Sequence, residues 1–252
     1  NPIQVAERLF QVIERLAENG PMGIMDLSAE LGFHKSTTHR LVTSLQYMGY
    51  IRQDEESLKY ALSLKFLEIG SKILEQTNMA SLIHPSLKKL SEQTGETVHL
   101  VRREGTEAVY IDKVESTVSS IRMVSRVGSR IPLYCSGVGK ALLAELPDPE
   151  IEDIWNSSEI TSLTPYTVTS LSDLMDRIRG VREAGYAMDD EENEEGVRCI
   201  AVSIPDYHKE PVYALSISAP VSRMTDARIA ELSADVLTFK KDLEKTLGFS
   251  RS

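Results

Sequence analysis

The stretch Gly23–Tyr50, GIMDLSAELGFHKSTTHRLVTSLQYMGY, spells two short amphipathic helices joined by a tight turn, the layout of a helix-turn-helix DNA reader. In the second helix, about 100° per residue puts Thr38, Leu41, Val42, Leu45 and Met48 on one side and Ser36, His39, Arg40 and Thr43 on the other. The first set packs. The second offers a guanidinium, an imidazole and two hydroxyls, groups that reach phosphates and base edges in a major groove. Lys35 and Thr37 stand at the start of the same helix, so the candidate reading set is Lys35, Ser36, Thr37, His39, Arg40 and Thr43. Leu27, Leu31 and Phe33 supply the apolar side of the supporting helix, and Gly32 permits the turn.

Upstream, Val5, Leu9, Val12, Ile13 and Leu16 recur at helical spacing until Asn19-Gly20-Pro21 stops them. Downstream, Gly49 ends the reader helix, Tyr50 to Arg52 reads as a strand, Asp54 to Ser57 as a turn and Leu58 to Leu62 as a return strand. Three helices and a hairpin make a winged reader, with Arg52 and Lys59 as wing cations for phosphate.

A chain of 252 residues has room for two domains, and 41% hydrophobic residues suffice for cores. The net charge of −10 is unevenly spread: residues 1–65 hold 7 Lys/Arg against 8 Asp/Glu, leaving 21 against 30 beyond. A near-neutral reader with a basic face binds DNA, and an acidic second domain disfavours nonspecific sticking. Cys135 and Cys199 show no CxxC spacing, so neither a disulfide framework nor a zinc site is indicated. A reducing cytoplasm fits. No apolar run approaches the roughly 18 residues of a spanning helix, and no signal-peptide pattern opens the sequence. The expected partners are therefore double-stranded DNA and a small molecule, with no membrane and no cofactor.

Residues 1–63 are expected to form the winged domain, 64–78 a linking helix and 79–252 a mixed helix-and-strand domain. In the last, a helix carries Leu82, Ile83, Leu87 and Leu90. Thr97 to Val101, Ala108 to Val114, Ser120 to Val124, Cys199 to Ile204 and Val212 to Ala219 read as strands, and Ser136 to Leu146, Ser170 to Ala184 and Asp226 to Leu247 as helices.

The reader helix HKSTTHRLVTSL, TGETVHL at 94–100, GSRIPLYCSGVGKALLA at 128–144 and GYAMDDEENEEGVRCIAVSI at 185–204, in this order, resemble the IclR family of bacterial transcriptional regulators. The resemblance implies an α+β chain: an N-terminal winged helix-turn-helix domain that dimerises, a linker helix, and a C-terminal effector-binding domain related to GAF and PAS sensors with a curved antiparallel sheet. It also implies dimers or dimers of dimers on operator DNA. Residues 119–134 and the EENEEGVRCIAVSI block are most similar to the subgroup that senses 2-keto-3-deoxygluconate. The function implied is a repressor of a sugar-acid operon, with an activator, or a sensor of a glyoxylate-like or aromatic acid, as the alternatives within the family.

The turn Gly137-Val138-Gly139 precedes a predicted helix, so its free amides suit a carboxylate, with Ser136 at the same turn. The resemblance adds Gly137, Val138, Asp189, Cys199, Ser216 and Ser218. Ser216 and Ser218 lie two apart on a predicted strand and share a side. Arg122 and Arg126, on or beside a strand, are candidate carboxylate partners. Taken alone, these residues leave the bland alternatives open: solvent-facing serines, a small core cysteine, an aspartate in a solvated acidic run.

Catalytic readings fail on spacing. GVGKA at 137–141 has Tyr134 where a phosphate loop needs Gly and Ala141 where it needs Ser or Thr; Ser136 lacks the GxSxG elbow; the five His show no HExxH spacing; and the acidic run from Asp189 does not fit an EF-hand. His99 reads as structural. No enzyme is expected. The rival from another class is a metabolite-binding module or enzyme that uses its N-terminal domain only for association.

Overall fold

The computed structural model describes residues 3–76, 79–116, 125–206 and 208–247, and the chain divides into two units, Asn1–Asn78 and Met79–Ser252. In the first, α1 (Gln4–Asn19), α2 (Ile24–Leu31) and α3 (Lys35–Tyr47) precede a ribbon of β1 (Ile51–Gln53) and β2 (Tyr60–Leu62). Helical periodicity turns Val12 and Leu16, Leu27, and Leu41, Val42 and Leu45 inward around Met22, Ile51 and Tyr60. Burying each such aliphatic side chain is worth about 1.5–3 kcal/mol.

Gly32 has φ +67°, and its amide meets the carbonyls of Ser28 and Ala29, which ends α2 and swings the chain into α3. Two expected core residues are exposed. Val5, at 60%, lies a turn before the packed part of α1, and Met48 falls past the end of α3. Phe33 belongs to the turn rather than to α2, and packs on the core from there.

The ribbon pairs Ile51 with Leu62 and Gln53 with Tyr60. Its turn is closed by Asp54, whose Oδ1 accepts from the Ser57 amide at 2.8 Å and hydroxyl at 2.7 Å. Leu58 belongs to this turn, with φ +56°, so the return strand starts two residues later than expected. Tyr60 also exchanges backbone hydrogen bonds with Met22, tying ribbon to helices. Helix α4 (Lys65–Gln76) follows in the region expected to link the domains.

The second unit runs α5 (Met79–Thr94), β3 (Thr97–Glu104), β4 (Glu107–Val114), β5 (Arg130–Pro132), α6 (Gly137–Leu143), α7 (Asp148–Asn156), α8 (Leu171–Ala184), β6 (Ala187–Asp190), β7 (Val197–Ile204), β8 (Tyr213–Pro220) and α9 (Asp226–Thr246). The strands form one antiparallel sheet in the order β5-β4-β3-β8-β7-β6. The strand predicted over 120–124 lies outside the described residues. β5, β6 and α7 were not among the elements read from periodicity, and α6 is shorter than the helix expected over 136–146.

Strand alternation divides this sheet between two cores. Val98, Leu100, Ile200, Val202, Leu215 and Ile217 face α5 and α9, where Ile83, Leu87, Leu232 and Val236 meet them. The intervening positions face α6, α7 and α8. There Ala187, Ala201 and Ala214 are small, and Leu133, Val138, Leu142, Ile151 and Leu174 fill the layer. α6 comes close enough that a Cβ on Gly139 would collide with the Leu133 backbone, so only glycine fits there.

Candidate functional site: a reader face and an effector cavity

On α3, Lys35, Ser36, His39, Arg40 and Thr43 are exposed and Thr37 is half-buried, opposite the packed Leu41, Val42 and Leu45. Thr43 Oγ1 lies 3.5 Å from His39 Nδ1, one turn away. The first turn of α3 holds no carboxylate to repel phosphate. Arg52, on β1 opposite Ala61, and Lys59, just before β2, are exposed on the ribbon. A free cationic and hydroxyl-bearing helix face beside a two-stranded ribbon can lie against nucleic acid; nothing in it resembles a reaction centre.

The second unit holds a small cavity of about 40 Å³ between the sheet and the start of α6. Its polar wall follows from strand register. Thr97, Ser218, Cys199 and Asp189 are successive cross-strand neighbours, and His99, Ser216 and Ala201 form the next row. Six of these residues share one face of the sheet because the rows lie two positions apart on β3, β7 and β8. Ser136, Gly137, Val138, Asp189, Cys199, Ser216 and Ser218 all line the cavity, joined by His99, Tyr110 and Ser125, which sequence reasoning missed as site residues.

At the α6 end, Ser136 Oγ accepts from the Gly139 amide at 3.1 Å and donates to the Pro132 carbonyl at 2.6 Å. The amides of Gly137 and Val138 have no intrahelical acceptor. A Cβ on Gly137 would stand 2.7 Å from Cys199 Sγ, so helix and strand meet here only through glycine. Asp189 Oδ1 accepts from the amides of Glu192 and Asn193 at 2.8 and 3.4 Å, which folds the chain after β6 back over the cavity. The hydroxyls of Thr164 and Thr167 hold the carbonyls of Glu191 and Glu192 from outside, both at 2.6 Å.

His99 Nε2 pairs with Ser125 Oγ at 2.7 Å, while Nδ1 stands 3.4 Å from Ser218 Oγ and 3.5 Å from Ser216 Oγ. Those two hydroxyls are thus only loosely held and can turn towards a ligand. Burial sets the protonation states. It lowers His99 to about 3, with the nearby Lys113 ammonium adding to the effect. It raises the Asp189 carboxyl to about 7, against the pull of Lys140 and the two amides. It pushes the Tyr110 phenol and the Cys199 thiol up as well. At neutral pH the wall is therefore a neutral imidazole, hydroxyls, a thiol and a partly protonated carboxyl. Such a thiol is a poor nucleophile; what the wall offers is hydrogen bonds.

Of the two candidate arginines, the described one, Arg126, is not brought to this wall. Arg126 is exposed in the turn before β5, where its carbonyl accepts from the Ser129 amide and hydroxyl, and its side chain does not line the cavity. Arg122 lies outside the described residues. Among the described residues, no Lys or Arg lines the cavity. Lys113, whose charge acts on His99, donates its Nζ to the Ser125 carbonyl at 2.9 Å.

The family model described as the IclR helix-turn-helix domain matches residues 5–55, and that of the bacterial transcriptional regulator IclR C-terminal domain matches residues 71–244. The chain belongs to the IclR family. It is 36% identical over 252 residues to the acetate operon repressor of Salmonella typhimurium, covering 99% of this chain and 92% of that protein. Over 242 residues it is 36% identical to the HTH-type transcriptional regulator KdgR of Escherichia coli, covering 96% and 92%. The crystal structure of the Thermotoga maritima IclR superposes with a TM-score of 0.65 at 32% identity, covering 96% of this chain and 98% of that one. These are DNA-binding regulators, not enzymes, and similarity to KdgR proteins extends over nearly the full chain.

Proposed function

We propose that this IclR-family member is an operator-binding repressor of a sugar-acid catabolic operon in the cytoplasm, released from DNA by a small carboxylate, with 2-keto-3-deoxygluconate as the first candidate. Two copies, or a dimer of dimers, engage operator half-sites through Lys35, Ser36, Thr37, His39, Arg40 and Thr43, with Arg52 and Lys59 on phosphate. Residues 1–63 act as the reader, 64–78 as the link and 79–252 as the sensor. The observation that supports the reading is the cavity wall, lined by Ser216, Ser218, His99 and Asp189, which can hydrogen-bond a polyhydroxy acid, and by Gly137 and Val138, whose helix-start amides suit its carboxylate. The effector works only through a difference in affinity between the DNA-competent and released states, typically about 1–3 kcal/mol.

The test is binding of the protein to DNA from upstream of its own gene, at several salt concentrations, with and without 2-keto-3-deoxygluconate. Site-preferring, salt-sensitive binding weakened by the acid is expected. Site-preferring binding indifferent to it would reject this effector, and binding strengthened by it would reject release.

A further inference from the structure

Helix α3 carries one more residue on its free face, Tyr47. At about 100° per residue, Ser36, Arg40, Thr43 and Tyr47 fall within an arc of roughly 60°, and Tyr47 lies straight across the helix from the buried Thr38. Its side chain is 92% exposed, more than any other large hydrophobic residue among those described. A tyrosine so placed presents a rigid body with a hydroxyl donor at its tip.

Position along the helix decides what that hydroxyl meets. The eleven steps from Ser36 to Tyr47 span about 16 Å of helix axis, whereas the major groove is about 12 Å wide. A helix whose N-terminal residues touch bases therefore brings its C-terminal end to the lip of the groove, where the phosphates run.

Charge at that end agrees. The C-terminus of a helix ordinarily disfavours an anion, and the last turn of α3 has no basic residue of its own. Lys65, at the start of α4, supplies one: its exposed Nζ donates to the Met48 carbonyl at 2.7 Å and stands 4.2 Å from the centre of the Tyr50 ring. The tip of the ribbon, by contrast, is Asp54-Glu55-Glu56, all exposed, and the Ser57 amide and hydroxyl hold the Asp54 carboxyl below its ordinary pKa. Three carboxylates repel a phosphate strand, which leaves the end of α3, not the ribbon tip, to hold it.

We infer that Tyr47 grips the DNA backbone: its phenol donates to a phosphate oxygen at the far lip of the major groove, at the same end of α3 as the Lys65 ammonium. The contact sets register and carries no base preference. This role rests on the proposed reading of DNA by α3.

The test is binding of the full chain to DNA from upstream of its own gene, by fluorescence anisotropy, with single phosphates replaced in turn by methylphosphonate. Tyr47→Phe should weaken binding to the unmodified DNA by about tenfold or more, by the same factor for every base variant of the site. It should also be indifferent to one replacement per half-site that weakens the wild type. The salt dependence should not change, because a phenol carries no charge. Wild-type binding by Tyr47→Phe, beside weakened binding by Arg40→Ala, would overturn the inference alone. If Arg40→Ala also binds as the wild type does, the reader assignment fails and the role of Tyr47 falls with it. A changed oligomeric state of Tyr47→Phe in sedimentation would place the residue at a protein contact and overturn the inference as well.

Discussion

Asp189→Asn exchanges a buried, titrating carboxyl for a neutral amide of the same shape, whose oxygen still accepts from the Glu192 and Asn193 amides. In the wild type, the rise of the Asp189 pKa from its ordinary 3.8 to about 7 corresponds to about 4 kcal/mol. A raised carboxyl pKa means that the folded state holds its proton more tightly than the unfolded chain does. The penalty on folding is therefore absent below about pH 3.8, grows with pH and is complete above about 7. The variant lacks it, so it should be more stable than the wild type by about 2 kcal/mol near pH 5.5 and by about 4 near pH 8.5. His99 works in the other direction: its pKa falls from 6.5 to about 3, so its contribution is full above 6.5 and is lost as pH falls towards 3. It is present in both proteins and cancels in the difference. The assay is urea unfolding followed by the fluorescence of Trp155. The chain has one tryptophan, and it packs in the second unit's core against Tyr134, so the signal reports that unit alone. A gap that stays constant with pH, or narrows as pH rises, would refute the argument.

Arg40→Ala should weaken operator binding by about 1–3 kcal/mol if it reads a base while effector affinity is unchanged; fluorescence anisotropy with a labelled operator and titration calorimetry measure the two. Gly137→Ala drives a Cβ against Cys199 Sγ and should abolish the effector response; adding Cys199→Ala removes the sulfur and should restore it, read as effector-dependent release from DNA. Ser136→Ala loses both the cap on α6 and the tie to Pro132, which should cost about 1–2 kcal/mol of second-unit stability in the Trp155 assay.

The reader was legible because its signals are local. A helical period over Thr38, Leu41, Val42 and Leu45, a left-handed glycine at position 32 and short alternating runs after Gly49 need no knowledge of distant residues. Long strands such as β7 and β8 announced themselves by β-branched and apolar runs, whereas β5 and β6, of three and four residues, are too short for alternation to stand out. The site was harder for a physical reason. His99 meets Ser216 and Ser218 only because β3 pairs with β8 across more than a hundred residues, and nothing in the neighbourhood of His99 encodes that register. Arg126 shows the reverse case: closeness in sequence to a strand suggested closeness to the cavity, but it sits exposed in the turn at Gly128, which has φ +90°. The Lys140–Glu192 pair left no sequence signal at all, since its partners are 52 residues apart.

The alternation along the sheet separates two kinds of inheritance. On β8, Ser216 and Ser218 face the cavity while Leu215 and Ile217 hold the opposite core; on β7, Cys199 faces it while Ile200 and Val202 do the holding. A lineage can therefore rewrite the chemistry of this cavity by drifting at every second position, without asking the intervening hydrophobic residues to change. New chemical vocabulary is open to such a sheet at small cost to the fold that carries it.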